Sequence, residues 1–108
     1  MISLISDNKQ AIANLCREFQ IKKLDVFGSA STGAFDPDTS DLDFIVDLGE
    51  YDDDVGMRYL RFCLALEDHF GHSVEVITEP SIKNPYFREA VEEQRQNIYE
   101  APDGQADS

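Results

Sequence analysis

Two aspartates, Asp41 and Asp43, stand two positions apart in the segment DLDFIVDL, residues 41–48. Side chains at positions i and i+2 of a β-strand point to the same side and lie roughly 6.5 Å apart. Two carboxylates in this arrangement can converge on a hard divalent cation such as Mg²⁺, which prefers oxygen ligands. The same alternation also describes an ordinary half-exposed strand with a solvated acidic face. The pair alone therefore leaves both interpretations open.

A glycine–serine pair precedes the two aspartates. Gly28 and Ser29 follow the segment KLDVF, and a second glycine, Gly33, lies between them and Asp41. Glycine permits a sharp turn of the backbone. Free backbone N–H groups at such a turn, together with a serine hydroxyl, form an anion pocket. The pattern predicts an anion site at Gly28 and Ser29, close to the acidic pair.

A third acid, Glu75, lies in the segment HSVEVIT, on the opposite side of the predicted strand from Val74 and Val76. If this strand packs beside the first, Glu75 supplies a third carboxylate. Asp47 is a poor substitute, because it lies roughly 13 Å along the strand from Asp43. The alternative interpretation of Glu75 is a solvated acid on an edge strand.

Hydrophobic periodicity predicts the elements that must position these residues. They are a helix over 8–20, a strand over 23–29 with one helical turn after it, a strand over 41–48, a helix over 55–70, a strand over 72–78 and a last helix over 86–100. This order predicts one α+β (or α/β) domain, residues 1–100, with a small mixed sheet covered by helices on one face. The other face would carry the three acids, and residues 101–108 would form a disordered tail.

The bulk composition narrows the function classes. A net charge of −13 in 108 residues argues against broad, non-specific nucleic-acid binding, which depends on cationic contacts to phosphate. Such acidity suits a basic protein partner or metal cations. Cys16 and Cys63 form no CxxC pair, and the chain has neither a membrane-length apolar run nor a signal-peptide pattern. These features predict a cytoplasmic protein without disulfides.

The residues GSASTGAFDPDTSDLD, 28–43, together with a later strand acid, resemble the G-S…G…(S/T)-D-x-D signature of nucleotidyltransferases of the DNA polymerase β superfamily. The short chain resembles the minimal nucleotidyltransferases, a small branch of that superfamily. The sequence departs from the pattern in two places. The third acid is Glu75 rather than the commoner aspartate, and the segment before Asp41 is about a residue longer than in many relatives.

The resemblance implies a nucleotidyltransferase fold and metal-dependent transfer of a nucleoside monophosphate. It implies that Asp41, Asp43 and Glu75 are the catalytic residues and the ligands of two Mg²⁺ ions. Glu75 would also take the proton from the attacking hydroxyl. Gly28 and Ser29 would bind the β- and γ-phosphates of ATP.

The resemblance also implies a partner. Small prokaryotic minimal nucleotidyltransferases often pair with HEPN-domain RNase toxins, and some members attach AMP to a tyrosine of the toxin and so act as antitoxin. Two alternatives stay open: an antitoxin that neutralises by binding alone, and a nucleotidyltransferase that modifies a small molecule. Three basic residues on or near the last helix, Lys83, Arg88 and Arg95, are further candidates for lining a nucleotide cleft.

Overall fold

A computed structural model of the protein describes residues 1–36, 38 and 40–102. Its helices are α1 (Ser3–Ser6), α2 (Lys9–Glu18), α3 (Ser29–Thr32), α4 (Val55–Phe70) and α5 (Pro85–Gln94), with a 3₁₀ turn at Glu79–Ser81. Its strands are β1 (Lys23–Phe27), β2 (Leu42–Asp47), β3 (Val74–Thr78) and β4 (Gln96–Glu100). The strands form one sheet in the order β3-β2-β1-β4. The β2–β3 pair is parallel and the other two pairs are antiparallel, which confirms the predicted small mixed sheet.

The main core lies between the sheet and helices α2 and α4. Alternate residues of β2, such as Phe44 and Val46, point into it and are fully buried. Ile12 and Cys16 of α2 stand four residues apart on one helix face and fill the same cluster. Phe62 of α4 belongs to it as well. The apolar faces predicted from helical and strand periodicity thus pack together in one core.

The other face of the sheet carries a second, smaller apolar cluster. Phe27 of β1 and Ile45 of β2 pack there with Ile82 and with Val91 of α5. The sequence predicted helices on one face only, and the structure differs because α5 covers part of the second face. Ile45 points away from the main core and is 1% exposed, so it needs this apolar cover. The α+β class itself is confirmed.

The predicted last helix over 86–100 is wrong in its second half. Helix α5 begins at Asn84, whose side chain accepts hydrogen bonds from two backbone N–H groups, and it ends at Gln94. The backbone at Arg95 is extended, and residues 96–100 form strand β4 against β1. Pairing with β4 gives hydrogen-bond partners to the backbone groups on the free edge of β1 and buries Tyr99. These two gains outweigh the local helix propensity of this polar segment.

The chain continues in register just beyond β4. The N–H of Ala101 donates to the carbonyl of Lys22 at 2.8 Å. Residues 103–108, the larger part of the predicted tail, lie outside the described residues.

The short helix α1 was not predicted; its Ile5 is fully buried in the main core.

Neither cysteine is in a disulfide. Cys16 is buried, and burial raises the pKa of its thiol to about 12 against the opposing charge of Arg17, so it stays a neutral apolar group. Within the described part of the chain, no helix combines the length and apolar character needed to cross a bilayer.

Candidate active site

The parallel pairing of β2 with β3 sets Asp43 directly opposite Glu75. Asp43 is half-buried, while Glu75 and Asp41 are exposed, with Asp41 one residue before β2. The two facing side chains are close enough to share a hydrogen bond. The structure therefore brings together two acids that are 32 positions apart in sequence, with the third nearby.

The nearby acids affect the pKa of Asp43. Burial raises the pKa of the Asp43 carboxyl to about 6, and the charge and hydrogen bond of Glu75 and the charge of Asp41 add to the rise. The negative charge around Asp43 would be offset by a bound cation. Their donor atoms are all carboxylate oxygens, which suit Mg²⁺. The chemistry of the donor set therefore fits the expected metal.

The three acids do not form a closed metal cage. Among residues 1–36, 38 and 40–102, no three or more His, Cys, Asp or Glu side chains are grouped closely enough to hold a metal ion. The contact between Asp43 and Glu75 is the preformed part of the set. Coordination by all three acids therefore requires side-chain rotation, for which the exposed position of Asp41 leaves room.

Gly28 is fixed by the same aspartate. The antiparallel register pairs Phe27 with Asp43, so the residue after Phe27 turns across the Asp43 side chain. A Cβ atom at position 28 would lie 2.7 Å from Oδ2 of Asp43, and the backbone there has a φ of 68°. Both the conformation and the close approach require glycine. The glycine of the GS motif thus lies in contact with the acidic site.

We expect Gly28→Ala to destabilise the protein by roughly 2–4 kcal/mol, because it combines a disfavoured backbone with a clash against Asp43. Gly33→Ala is a control for positive φ: φ and ψ there are 93° and 0°, in the left-handed region, against 68° and −149° at Gly28, and nothing lies within 4 Å of the added Cβ. The control should cost roughly 1–2 kcal/mol, from backbone strain alone. Urea denaturation measures both free energies of unfolding. Equal losses in the free energy of unfolding for the two variants would show that a side chain at position 28 does not clash with Asp43.

Ser29 and Ser31 have different surroundings. Ser29 begins α3, where the first backbone N–H groups have no partner within the helix and are available to an anion. Ser31 is buried and donates a hydrogen bond to the carbonyl of Gln94, at the end of α5. Ser31 therefore fastens the turn after β1 to α5. Ser29, by contrast, is partly exposed.

Arg95 lies in a buried ionic cluster. Its guanidinium donates to Asp25 at 2.7 Å, to Glu79 at 3.0 Å and to Glu92 at 2.6 Å. Burial lowers the pKa of Arg95, but the hydrogen bonds to Glu92, Glu79 and Asp25 outweigh it and the net pKa is raised. Asp25 is only 2% exposed. Arg95 is therefore a structural tie between β1, the 3₁₀ turn and α5, and is occupied by these three carboxylates.

The other two basic candidates lie on or just before helix α5. Arg88 donates to the carbonyl of Ile82 and forms an ion pair with Glu92 on the same helix, and Lys83 is exposed. A surface cavity of about 390 Å³ lies at the opposite end of the strands, where Lys22 and Leu48 are among its lining residues. The three acids do not line it. The candidate site is identified by its carboxylates and not by a deep cavity.

Comparison with known proteins decides the family. The model of the nucleotidyltransferase domain matches residues 9–98, which contain the GS turn and all three acids. The chain belongs to the nucleotidyltransferase domain family. It is an enzyme of the transferase class, and the fold predicted from its motif is confirmed. The match spans β1 to β3 and the first three residues of β4, so it includes at least part of every strand of the sheet.

Three relatives of this nucleotidyltransferase illustrate the range of similarity. A Methanocaldococcus jannaschii protein named "Putative protein adenylyltransferase" is 33% identical over 76 residues, which cover 70% of this chain and 75% of the relative. A structure described as a "putative minimal nucleotidyltransferase" is 28% identical with a TM-score of 0.69, covering 84% of this chain and 89% of the other. A complex of a tri-AMPylated Shewanella oneidensis HEPN toxin with its MNT antitoxin has a chain 17% identical with a TM-score of 0.62, covering 89% and 72%. The last similarity shows the fold alone.

Proposed function

We propose that this nucleotidyltransferase transfers AMP from ATP to a protein hydroxyl, a tyrosine of a HEPN-domain RNase toxin in the cytoplasm, and so acts as an antitoxin. The observation that carries the proposal is the position of Asp43 opposite Glu75 on neighbouring strands, with Gly28 against the Asp43 carboxylate. An acidic pair suited to a cation, beside a turn suited to phosphate, supports nucleotide transfer at this site. Both halves of a nucleotide-transfer site therefore lie at one end of the sheet.

Each site residue has a role in this proposal. Gly28 and Ser29 would bind the β- and γ-phosphates of ATP through the start of α3. Asp41, Asp43 and Glu75 would hold two Mg²⁺ ions, which when bound supply the positive charge that the triphosphate and the departing pyrophosphate need. Glu75, the most accessible of the facing pair, would accept the proton of the attacking hydroxyl.

The exposure of the site favours a macromolecular acceptor. Asp41 and Glu75 are exposed, so a bulky acceptor can approach both carboxylates. A hydroxyl presented on the surface of another protein can reach such a site. The M. jannaschii relative is named as a protein adenylyltransferase, and the S. oneidensis complex contains an AMPylated HEPN toxin, which supports the same class of acceptor.

The test incubates a HEPN-domain RNase toxin with the nucleotidyltransferase, ATP and Mg²⁺. Intact-mass spectrometry should show the toxin gaining one or more AMP units, and peptide mapping should place them on tyrosine. Chelation of the metal by EDTA should stop the gain. An unchanged toxin mass over repeated incubations with active enzyme would refute the transfer to this partner.

The same mixture separates the alternatives. If neutralisation depends on AMP transfer, Asp43→Asn should bind the toxin but leave its RNase activity intact. Full neutralisation by Asp43→Asn would favour an antitoxin that acts by masking alone. Pyrophosphate release that requires a small-molecule hydroxyl and no protein would favour a small-molecule acceptor.

A further inference from the structure

Helix α4 carries an apolar stripe on its solvent side. Met57, Leu60 and Leu64 are 51%, 49% and 55% exposed, although they stand in a helix whose other side is buried through Phe62 and Leu66. Their spacing of three and four residues aligns them along one helix face. Three adjacent half-exposed apolar side chains on one face are more typical of an interaction surface than of scattered exposure. We name these three residues the α4 stripe.

A glycine adjoins the α4 stripe. Gly56 lies in the first turn of α4, four residues before Leu60, so it shares the outward face of the helix. A Cβ atom added there would have nothing within 4 Å, so packing within the chain does not demand glycine. Glycine lowers helix stability relative to alanine. A small residue at this place lets a second helix approach α4 closely.

Acidic groups flank the α4 stripe. Glu67 and Asp68 follow it on the same side of the helix, and Asp53 precedes it by one turn. Beside Met57 lies a groove of about 450 Å³ whose lining includes Glu18, Asp52 and Asp54 as well as Arg58 and Arg61.

Those three groove carboxylates form no ion pair within the described part of the chain. Arg58 is engaged elsewhere, donating to the carbonyls of Phe19, Gln20, Leu48 and Glu50. These carbonyls do not neutralise Arg58, and Arg61 lines the groove as well, so three carboxylates face two guanidinium groups and one negative charge is left over. Asp53, Glu67 and Asp68 around the stripe add to it, and a partner's cations can pair with this surplus.

We propose that the α4 stripe docks an amphipathic helix of a partner protein whose apolar side chains are flanked by lysine and arginine. Leucine-type side chains would pack on Leu60 and Leu64, the backbone would approach at Gly56, and basic side chains would reach the acidic groove. Helix α4 packs on the side of the sheet opposite Asp43 and Ile45. The docking surface is therefore separate from the transfer site and goes beyond the proposed function.

Charge decides between this occupant and a second copy of the chain. Each copy carries a net charge of −13 and would present the same acidic rim to the other. Like charges facing each other across an interface oppose association, whereas a basic helix matches the rim. The apolar stripe supplies contact area in both cases, so only electrostatics separates them.

The test probes ¹⁵N-labelled protein by NMR with two synthetic helical peptides that carry the same leucine stripe. One has lysine and arginine flanks, and its twin has glutamate in their place. The basic peptide should shift amide signals along 53–68, with an affinity that falls several-fold at high salt. Leu60→Ser/Leu64→Ser should weaken binding by about tenfold or more, as expected for loss of anchor side chains. Tyr86→Ser, which removes a side chain that is 83% exposed on α5, should change nothing.

A further variant distinguishes docking from a structural role. Gly56→Gln should raise Tm, because glutamine favours the helix, yet weaken peptide binding, because its side chain blocks close approach. Asp43→Asn should bind the peptide as the wild type does, so failure of AMP transfer and failure of docking are separate results. The proposal would be overturned if both peptides bound equally well, or if the basic peptide shifted no amide signals or only signals outside α4. A homodimer that dissociates in the Leu60→Ser/Leu64→Ser variant would overturn it as well.

Discussion

The Asp43→Asn substitution is expected to lower AMP transfer by at least about 10²-fold, the scale seen when one preorganised electrostatic group is removed from an active site. Asparagine keeps the size of the side chain and removes its charge. The proposed Mg²⁺ ligands then lose their central member, which contacts both Glu75 and the Gly28 turn. Transfer of label from α-³²P-labelled ATP to the toxin, at saturating Mg²⁺, measures the loss.

Asp47→Asn is the matched control for this experiment. Asp47 lies on the same strand and the same side as Asp43, but at the far end, where its carboxylate accepts a hydrogen bond from the N–H of Gly49. Both variants remove one negative charge from β2. The control should transfer AMP at a rate close to that of the wild type. Equal activity in wild type and Asp43→Asn would remove the basis of the proposed chemistry.

Without metal, the same Asp43→Asn variant should be more stable than the wild type. The pKa of Asp43 is raised from 3.8 to about 6 in the folded protein, so the native state binds its proton more tightly than the unfolded state does. The contribution of Asp43 to the free energy of unfolding is therefore lost as pH rises from about 4 to 6. Above pH 6 the stability difference between the Asp43→Asn variant and the wild type has its full value. After allowance for solvent screening, the gain is on the order of 1 kcal/mol, or roughly 4–8 °C in Tm. Melting curves in EDTA at pH 4 and pH 8 measure it.

The acidic site could be predicted to a large extent from short-range patterns. The DxD spacing and the alternation around Glu75 indicate side-chain direction within each strand, because a strand has a period of two. The pairing of strands could not be predicted from these short-range patterns. That Asp43 lies opposite Glu75, and that Gly28 touches Asp43, both depend on registers between strands, which neither segment contains by itself. The family signature supplied that missing information.

Strand β4 and the buried ionic cluster were missed for the same reason. The segment after α5 is polar and continues a helical pattern, and only the free edge of β1 makes it a strand. Asp25 stands in the strand predicted over 23–29, and its partner Arg95 is 70 residues away along the chain. A buried acid within an apolar strand is the one signal that could have suggested an ionic partner, since a buried charge is rarely left unpaired.

Arg95→Met is expected to destabilise the protein by roughly 3 kcal/mol, the lower end of the cost of breaking a buried ion pair. The substitution leaves Asp25, 2% exposed, without the guanidinium that donates to it. Asn97 still donates to Asp25 at 2.9 Å, and Lys23 lies 3.8 Å away, which limits the cost. Urea denaturation should show a lower midpoint with an unchanged slope.

The control is Arg88→Met, which removes the same charge from helix α5, the helix that ends just before Arg95. Arg88 forms an exposed ion pair with Glu92 and donates to one carbonyl, so its loss should cost no more than about 1 kcal/mol. Asp25→Asn combined with Arg95→Met should recover part of the loss, because no uncompensated buried charge remains. If Arg95→Met costs no more than the control, or the double variant loses the sum of its parts, Arg95 does not act through Asp25. The cluster would then not be what holds α5 against the strand that leads into Gly28.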